Sequence, residues 1–193
     1  MVEDQSYPRV KKFFFLFIFL LSFSKASSEN YKFIKVADLN NPWGSSFLNN
    51  DEMIITEKSG LIKIVNIINN QVNNVEHNLN FLEDGQGGLL DILHQENKVW
   101  ISYTENRGNR KTSTSIALAN LDKKNLVFKN IFQANPPINS GYHFGSRLAI
   151  KDNYLYASAG ERGKGMIAQD ASKHPGSIIR IHLDGRIPND NPK

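Results

Sequence analysis

The sequence predicts an all-β protein assembled from repeated hairpins, and three observations lead there. Three segments share one pattern: a glycine, a short apolar strand, a polar turn, a second apolar strand and a glutamate. They run from Gly44 to Glu57, from Gly88 to Glu105 and from Gly145 to Glu161. Their leading glycines stand 44 and 57 residues apart, near the period of a four-stranded propeller blade. No stretch of ten or more residues carries the apolar spacing of an amphipathic helix.

The chain opens on an address and not on a fold. Arg9, Lys11 and Lys12 form a basic n-region, and Phe13 to Phe23 is an apolar run broken only by Ser22. Ser24-Lys25-Ala26 then offers small residues to a signal peptidase, so residues 1–26 read as a secretory signal. The run is shorter than the ~20 residues that span a bilayer. A protein left periplasmic or secreted, with no stable membrane span after cleavage, is the expectation. Removing Arg9, Lys11, Lys12 and Lys25 with Glu3 and Asp4 lowers the formal net charge from +4 to +2. With no Lys/Arg cluster in the remainder, nucleic acid is not an expected partner. There is no cysteine, so an exported chain cannot use disulfides and must rely on its core or on a ligand.

Residues 27–193 are long enough for one domain. Each repeat supplies a hairpin whose turn is polar: Asn49-Asn50-Asp51, Gln95-Glu96-Asn97 and Lys151-Asp152-Asn153. Further strands are expected at Leu61–Val65, at Ser115–Leu121 and Leu126–Phe132 joined by the turn Asp122–Asn125, and at Ile178–Leu183 before Asp184-Gly185. Three units do not close a propeller, which usually needs four to eight. With its loop-like tail from Ile187 to Lys193, the sequence reads as the N-terminal part of a longer propeller.

Loops at strand ends are where rigid scaffolds display reactive groups. His143 stands there between Gly141 and Gly145, and Glu161-Arg162 follows the strand Tyr154–Ala159. A histidine near a carboxylate suggests a proton-transfer centre. The bland reading of the same residues is a loop histidine bonding a carbonyl, a surface ion pair between Glu161 and Arg162, and a tight glycine turn at Asp84–Gly88.

Seven motifs then carry a resemblance. They are Asn41-Pro42-Trp43-Gly44, Thr56-Glu57-Lys58-Ser59-Gly60, Asp84-Gly85-Gln86-Gly87-Gly88-Leu89-Leu90-Asp91, His143-Phe144-Gly145-Ser146-Arg147-Leu148, Gly160-Glu161-Arg162-Gly163, Ala168-Gln169-Asp170 and Asp184 through Pro192. In this order they resemble the glucose/sorbosone dehydrogenase family, most closely its aldose sugar dehydrogenase branch. The resemblance implies an exported quinoprotein with a six-bladed β-propeller, of which this chain covers about three blades. It also implies pyrroloquinoline quinone (PQQ) and calcium as cofactors, an aldose sugar as substrate and a periplasmic electron acceptor.

The implied reaction removes the anomeric hydroxyl proton to the histidine matched by His143, while the C1 hydride passes to the quinone and a lactone forms. Glu161 falls where soluble glucose dehydrogenases carry an aspartate, and a carboxylate there could orient the imidazole. Gln86 matches a glutamine lining the sugar site, and its amide both donates and accepts. The resemblance puts the residues that hold the quinone and calcium beyond Lys193, and no metal-ligand spacing stands out within the chain. Tyr142 occupies the place of an acidic residue in the glucose-oxidising branch, which leaves the sugar open. Arg147 reads as structural, and Trp43, Trp100 and Tyr103 as core aromatics between blades.

Two other classes stand beside this one. A propeller of the same shape could bind carbohydrate or protein without redox chemistry, and a similar propeller could use a metal-bound water to hydrolyse lactones. The signal reading is directly testable. Protein recovered from the periplasm or medium should begin at Ser27 by N-terminal sequencing and intact mass, and retention of residues 1–26 would overturn it.

Overall fold

Short polar turns between runs of β-branched and aromatic residues make hairpins, and the chain from Lys35 onward is built almost wholly of them. The computed structural model describes residues 31–192, and the expected signal lies outside the described residues. The first sheet begins with β1 (Pro42–Phe47), β2 (Glu52–Glu57), β3 (Leu61–Asn66) and β4 (Val72–His77), paired in that order. Then come β5 (Leu89–Gln95), β6 (Lys98–Asn106) and β7 (Thr112–Asn120), followed by a two-residue β8 (Asn125–Leu126) and by β9 (Lys129–Gln133). The second sheet has the order β5-β6-β7-β9. The third joins β10 (Gly145–Lys151), β11 (Tyr154–Ala159) and β12 (Ile178–His182). Among the described residues the helical content is one 3₁₀ segment, Gly165–Gln169.

The first strands of the sheets lie side by side, with β5 packed against β1 on one flank and β10 on the other. Successive propeller units pack this way. The middle sheet is therefore covered on both faces, and β6 shows it residue by residue. Val99, Ile101 and Tyr103 join the cluster shared with Ile54, Ile62 and Ile64 of the first sheet. Trp100, pointing the other way, joins Leu148, Leu155 and Ile181 of the third. A strand buried on both faces reads as a continuous apolar run, which is why Val99–Tyr103 does not alternate. Each such side chain contributes about 1.5–3 kcal/mol of burial.

Three expectations about packing and strands need correction. Trp43 is 41% exposed and not a core aromatic, whereas Trp100 and Tyr103 are buried. The run Leu126–Phe132 is not one strand. Asn125 and Leu126 pair in parallel with Glu76 and His77 of the first sheet, while Lys129–Gln133 pairs with β7 of the second. Asn78 enforces the crossing, since its amide donates to the Phe128 carbonyl at 3.1 Å and accepts the Phe128 N–H at 2.8 Å. The glycine-to-glutamate pattern is also not the true register.

That register is set by a bulge in each first strand. The pairing shifts between Pro42 and Ser45, between Leu89 and Ile92, and between Gly145 and Leu148. A bulge leaves backbone groups unpaired, and here each meets a hydroxyl on the second strand. The N–H groups of Gly44, Asp91 and Arg147 donate to Thr56, Ser102 and Ser158 at 3.0, 3.0 and 3.1 Å. Thr56 in turn donates to the Leu90 carbonyl, and Ser102 to the Ser146 carbonyl at 2.6 Å, each time in the next sheet. Gly44 is thus equivalent to Asp91 and Arg147, and Glu57 to Tyr103 and Ala159. Glu105 and Glu161 lie two residues further on.

Ser102→Ala would leave the Asp91 N–H and the Ser146 carbonyl unpaired in a buried setting, a loss of about 1–3 kcal/mol. Urea unfolding should show a lower midpoint at unchanged slope, with Ser102→Thr closer to the parent. An unchanged midpoint in Ser102→Ala would remove the hydroxyl link as a source of stability.

Candidate active site

Two turns meet at the end of the second and third sheets, and backbone contacts between them set the positions of the side chains. The turn Asp84–Gly88 closes on itself through Gly87 N–H to the Asp84 carbonyl at 2.8 Å, and Lys58 Nζ donates to the Gly85 carbonyl at 2.7 Å. Gln86 N–H then donates to the Gly141 carbonyl at 2.8 Å, and Gln86 Oε1 accepts the His143 N–H at 2.8 Å. The approach is close enough that a Cβ on Gly85 would stand 2.4 Å from the Gly141 oxygen. His143 itself adopts a left-handed backbone, φ 50°, which is costly without external support.

That support comes from the turn after β11. Arg162 N–H donates to the His143 carbonyl at 3.3 Å, and Gly160 N–H to the Phe144 carbonyl at 3.0 Å. Thr114 Oγ1 adds a second donor to Phe144 at 2.9 Å, and the Phe144 ring is buried. A Cβ on Gly160 would lie 1.9 Å from the His143 oxygen, so only glycine lets the two segments touch.

His143 Nδ1 faces Glu161 Oε1. The carboxylate accepts, so the neutral ring carries its proton on Nδ1 and presents a lone pair on Nε2. Nε2 has no protein partner among the described residues, and the His143 side chain is 54% exposed. Glu161 also accepts the Gly163 N–H at 3.0 Å. The hydrogen bond from His143, with the backbone N–H groups behind it, holds the Glu161 carboxyl below the usual carboxylate range.

The structure therefore brings together all three residues singled out in the sequence, His143, Glu161 and Gln86. Gln86 Oε1 is engaged by backbone, and its amide nitrogen has no partner among the described residues. Tyr142 is mostly exposed with its ring 6.2 Å from that of His143.

The surface ion pair between Glu161 and Arg162 does not exist. Arg162 is 2% exposed and points away from Glu161. Its Nε donates to the Tyr142 carbonyl at 3.0 Å, Nη1 to the Thr112 carbonyl at 3.2 Å and Nη2 to Thr112 Oγ1 at 2.7 Å and to the Ser140 carbonyl. The guanidinium stacks on the Phe144 ring, 3.6 Å from its centre. Burial pulls its pKa down to about 10, against the opposing charge of Asp84, so it stays protonated at neutral pH. Sequence reasoning also missed Asp91, which is buried, holds Arg147 Nη1 at 3.0 Å and accepts the Leu148 N–H at 2.7 Å. Its only sequence signal was a carboxylate inside an apolar strand.

Among the described residues no three His, Asp, Glu or Cys side chains cluster as metal ligands, so these residues do not fit calcium. Arg162 does not fit a polyanionic quinone, since its donors are taken by carbonyls and Thr112, whereas Arg147 is held by Asp91 through Nη1 alone and its side chain is largely exposed. A cavity of about 760 Å³ lies elsewhere, between β9, β12 and Asn191-Pro192, and contains none of these residues.

Comparison with known proteins identifies the family. The family model described as Glucose / Sorbosone dehydrogenase matches residues 39–193. Aldose sugar dehydrogenase YliI of Escherichia coli is 31% identical over 164 residues, covering 80% of this chain and 44% of that protein. Quinoprotein glucose dehydrogenase B of Acinetobacter calcoaceticus is 26% identical over 88% of this chain and 43% of its own length. The crystal structure of the soluble aldose sugar dehydrogenase from Escherichia coli in its apo-form superposes with a TM-score of 0.75 at 30% identity, over 80% of this chain and 47% of that one. The PQQ-bound aldose sugar dehydrogenase of Streptomyces coelicolor, at 24% identity, shares the fold with a TM-score of 0.72 over 83% of this chain and 50% of its own. The chain spans somewhat less than half the length of the curated relatives it matches. With the family model covering the chain from Leu39 onward, the protein belongs to the glucose/sorbosone dehydrogenase family.

Proposed function

We propose that this chain contributes the proton-accepting part of an oxidoreductase that converts the C1 hydroxyl of an aldose sugar to a lactone. The observation that carries the reading is the His143–Glu161 contact, which leaves Nε2 of a solvent-facing imidazole as a base. A neutral imidazole takes a proton near pH 7. Glu161, kept ionised, orients the ring and balances the charge that forms on it. Gln86 offers its amide nitrogen to a sugar hydroxyl beside His143, and the Tyr142 ring gives an apolar wall against which a pyranose face could rest.

The hydride acceptor assigned by the family resemblance is PQQ, which when bound supplies a two-electron sink. A PQQ-bound family structure and a quinoprotein among the relatives support that assignment. No contact to PQQ or calcium is assigned to the residues described here, so only the proton step is given to named residues. A six-bladed closure, a periplasmic or secreted location and a periplasmic electron acceptor belong to the same proposal.

In any preparation of the protein that oxidises an aldose with PQQ and calcium added, His143→Asn should lower kcat by about 10²–10⁴-fold with little change in KM. Parent-level turnover in that variant would overturn the assignment. The pH dependence of the pair has a definite sign. Because the Glu161 pKa is depressed on folding, its contribution is fully present above the ordinary carboxylate value of 4.5 and is lost as pH falls through the lower folded value. The Gly163 N–H resonance should therefore titrate with a midpoint below 4.5, and the inflection should vanish in Glu161→Gln.

A further inference from the structure

Arg162 is a buried cation whose guanidinium meets no carboxylate at ion-pair distance among the described residues. Such a charge is costly to bury unless its hydrogen bonds are satisfied. All the bonds recorded for it go to one place. Nε reaches Tyr142, Nη2 reaches Ser140, and Nη1 and Nη2 reach Thr112, at the start of β7. Thr112 in turn is bridged to Ile138, at the foot of the same loop, by N–H to carbonyl bonds of 3.0 and 2.9 Å in both directions. The guanidinium plane covers Phe144, the residue after the histidine. One side chain thus ties both ends of the segment Ser140–Phe144 to β7, while its own backbone N–H holds the His143 carbonyl. Its neighbour in sequence is Glu161.

We propose that Arg162 is the positioning residue of the site: it locks the loop that carries His143 to the turn that carries Glu161, and so fixes the imidazole with Nδ1 on the carboxylate. The inference rests on the reading of His143 as the base, and its decisive readout is the geometry of the imidazole. The backbone conformation explains why one short turn serves both purposes. Arg162 has φ 60° and is followed by Gly163 at φ 69°, two left-handed residues in a row. That reversal sends its side chain into the protein while Glu161 stays at the surface. A lysine could not replace it, since a single ammonium lacks the planar fork that reaches three separate carbonyls.

The test uses the whole chain labelled with ¹⁵N-histidine. Long-range ¹H–¹⁵N spectra distinguish an imidazole held as the Nδ1–H tautomer from one that exchanges between tautomers. The parent should show His143 as Nδ1–H alone. Arg162→Lys and Arg162→Ala should show His143 in tautomer exchange while His77, His94 and His182 keep their parent signals. Guanidinium ion at millimolar concentration should restore the His143 signal in Arg162→Ala, where it can refill the vacated fork, and should do nothing in Arg162→Lys. In the oxidation assay the same variants should lose about 10²-fold in kcat, the size expected for a small misplacement.

An unchanged His143 signal in a folded variant would overturn the proposal. So would global unfolding of both variants that guanidinium does not reverse, since Arg162 would then be an ordinary structural residue. A moved and rescuable His143 signal beside parent-level turnover in His143→Asn would support the positioning role and overturn only the proton-transfer reading.

Discussion

The structure depends on how each first strand satisfies the backbone groups that its bulge leaves unpaired. A bulge buried between two sheets would leave an N–H and a carbonyl without water, at a cost comparable to a lost hydrogen bond each. One hydroxyl on the neighbouring strand removes the problem by accepting within its own sheet and donating to the next. Thr56 and Ser102 do both. The same bond that satisfies the bulge therefore also sets the spacing between sheets. A purely apolar contact, being non-directional, could not fix register in this way.

This link has a consequence for chemistry. The bulge of the second sheet follows the turn Asp84–Gly88, and the bulge of the third follows His143 and Phe144. Joining Ser102 to Ser146 brings the two preceding turns to the same level. Gln86 then meets the His143 backbone, and the glycines at 85 and 141 can touch. The site is thus a by-product of sheet register, refined by local bonds. Two charged residues beside one another in sequence divide the refinement. Glu161 acts on the imidazole from the surface, and Arg162 acts on the loop from within.

Much of this was legible in the sequence, and the failures have physical causes. The three hairpins could be read because their second strands are apolar runs between polar turns, and His143 and Glu161 stood out in glycine-flanked loops at strand ends, whereas Gln86 stood out only through the family resemblance. β4 was missed because Val72–His77 is polar at four of six positions and buries only Val75. The division of Leu126–Phe132 was invisible because it depends on Asn78, about fifty residues away in sequence. Trp43 was misplaced since size alone suggests a core, while its strand is the outermost described on that flank. The hydroxyl register escaped notice because Thr56, Ser102 and Ser158 are unremarkable as letters, and the more conspicuous glutamates lie out of phase with them.

The same comparison explains why Arg162 could be misread and why the site is still simple. Next to an acid, an arginine is expected to pair with it at the surface, where the pair would be worth little. A positive φ at one residue reverses that expectation without any change in sequence pattern. Once the arginine is inside, its charge is met by carbonyl dipoles and a ring face, which hold it without neutralising it. The carboxylate is thereby left for the imidazole and the Gly163 N–H. What results is an imidazole with one nitrogen on a carboxylate and the other without a protein partner among the described residues, half exposed on a rim open to water.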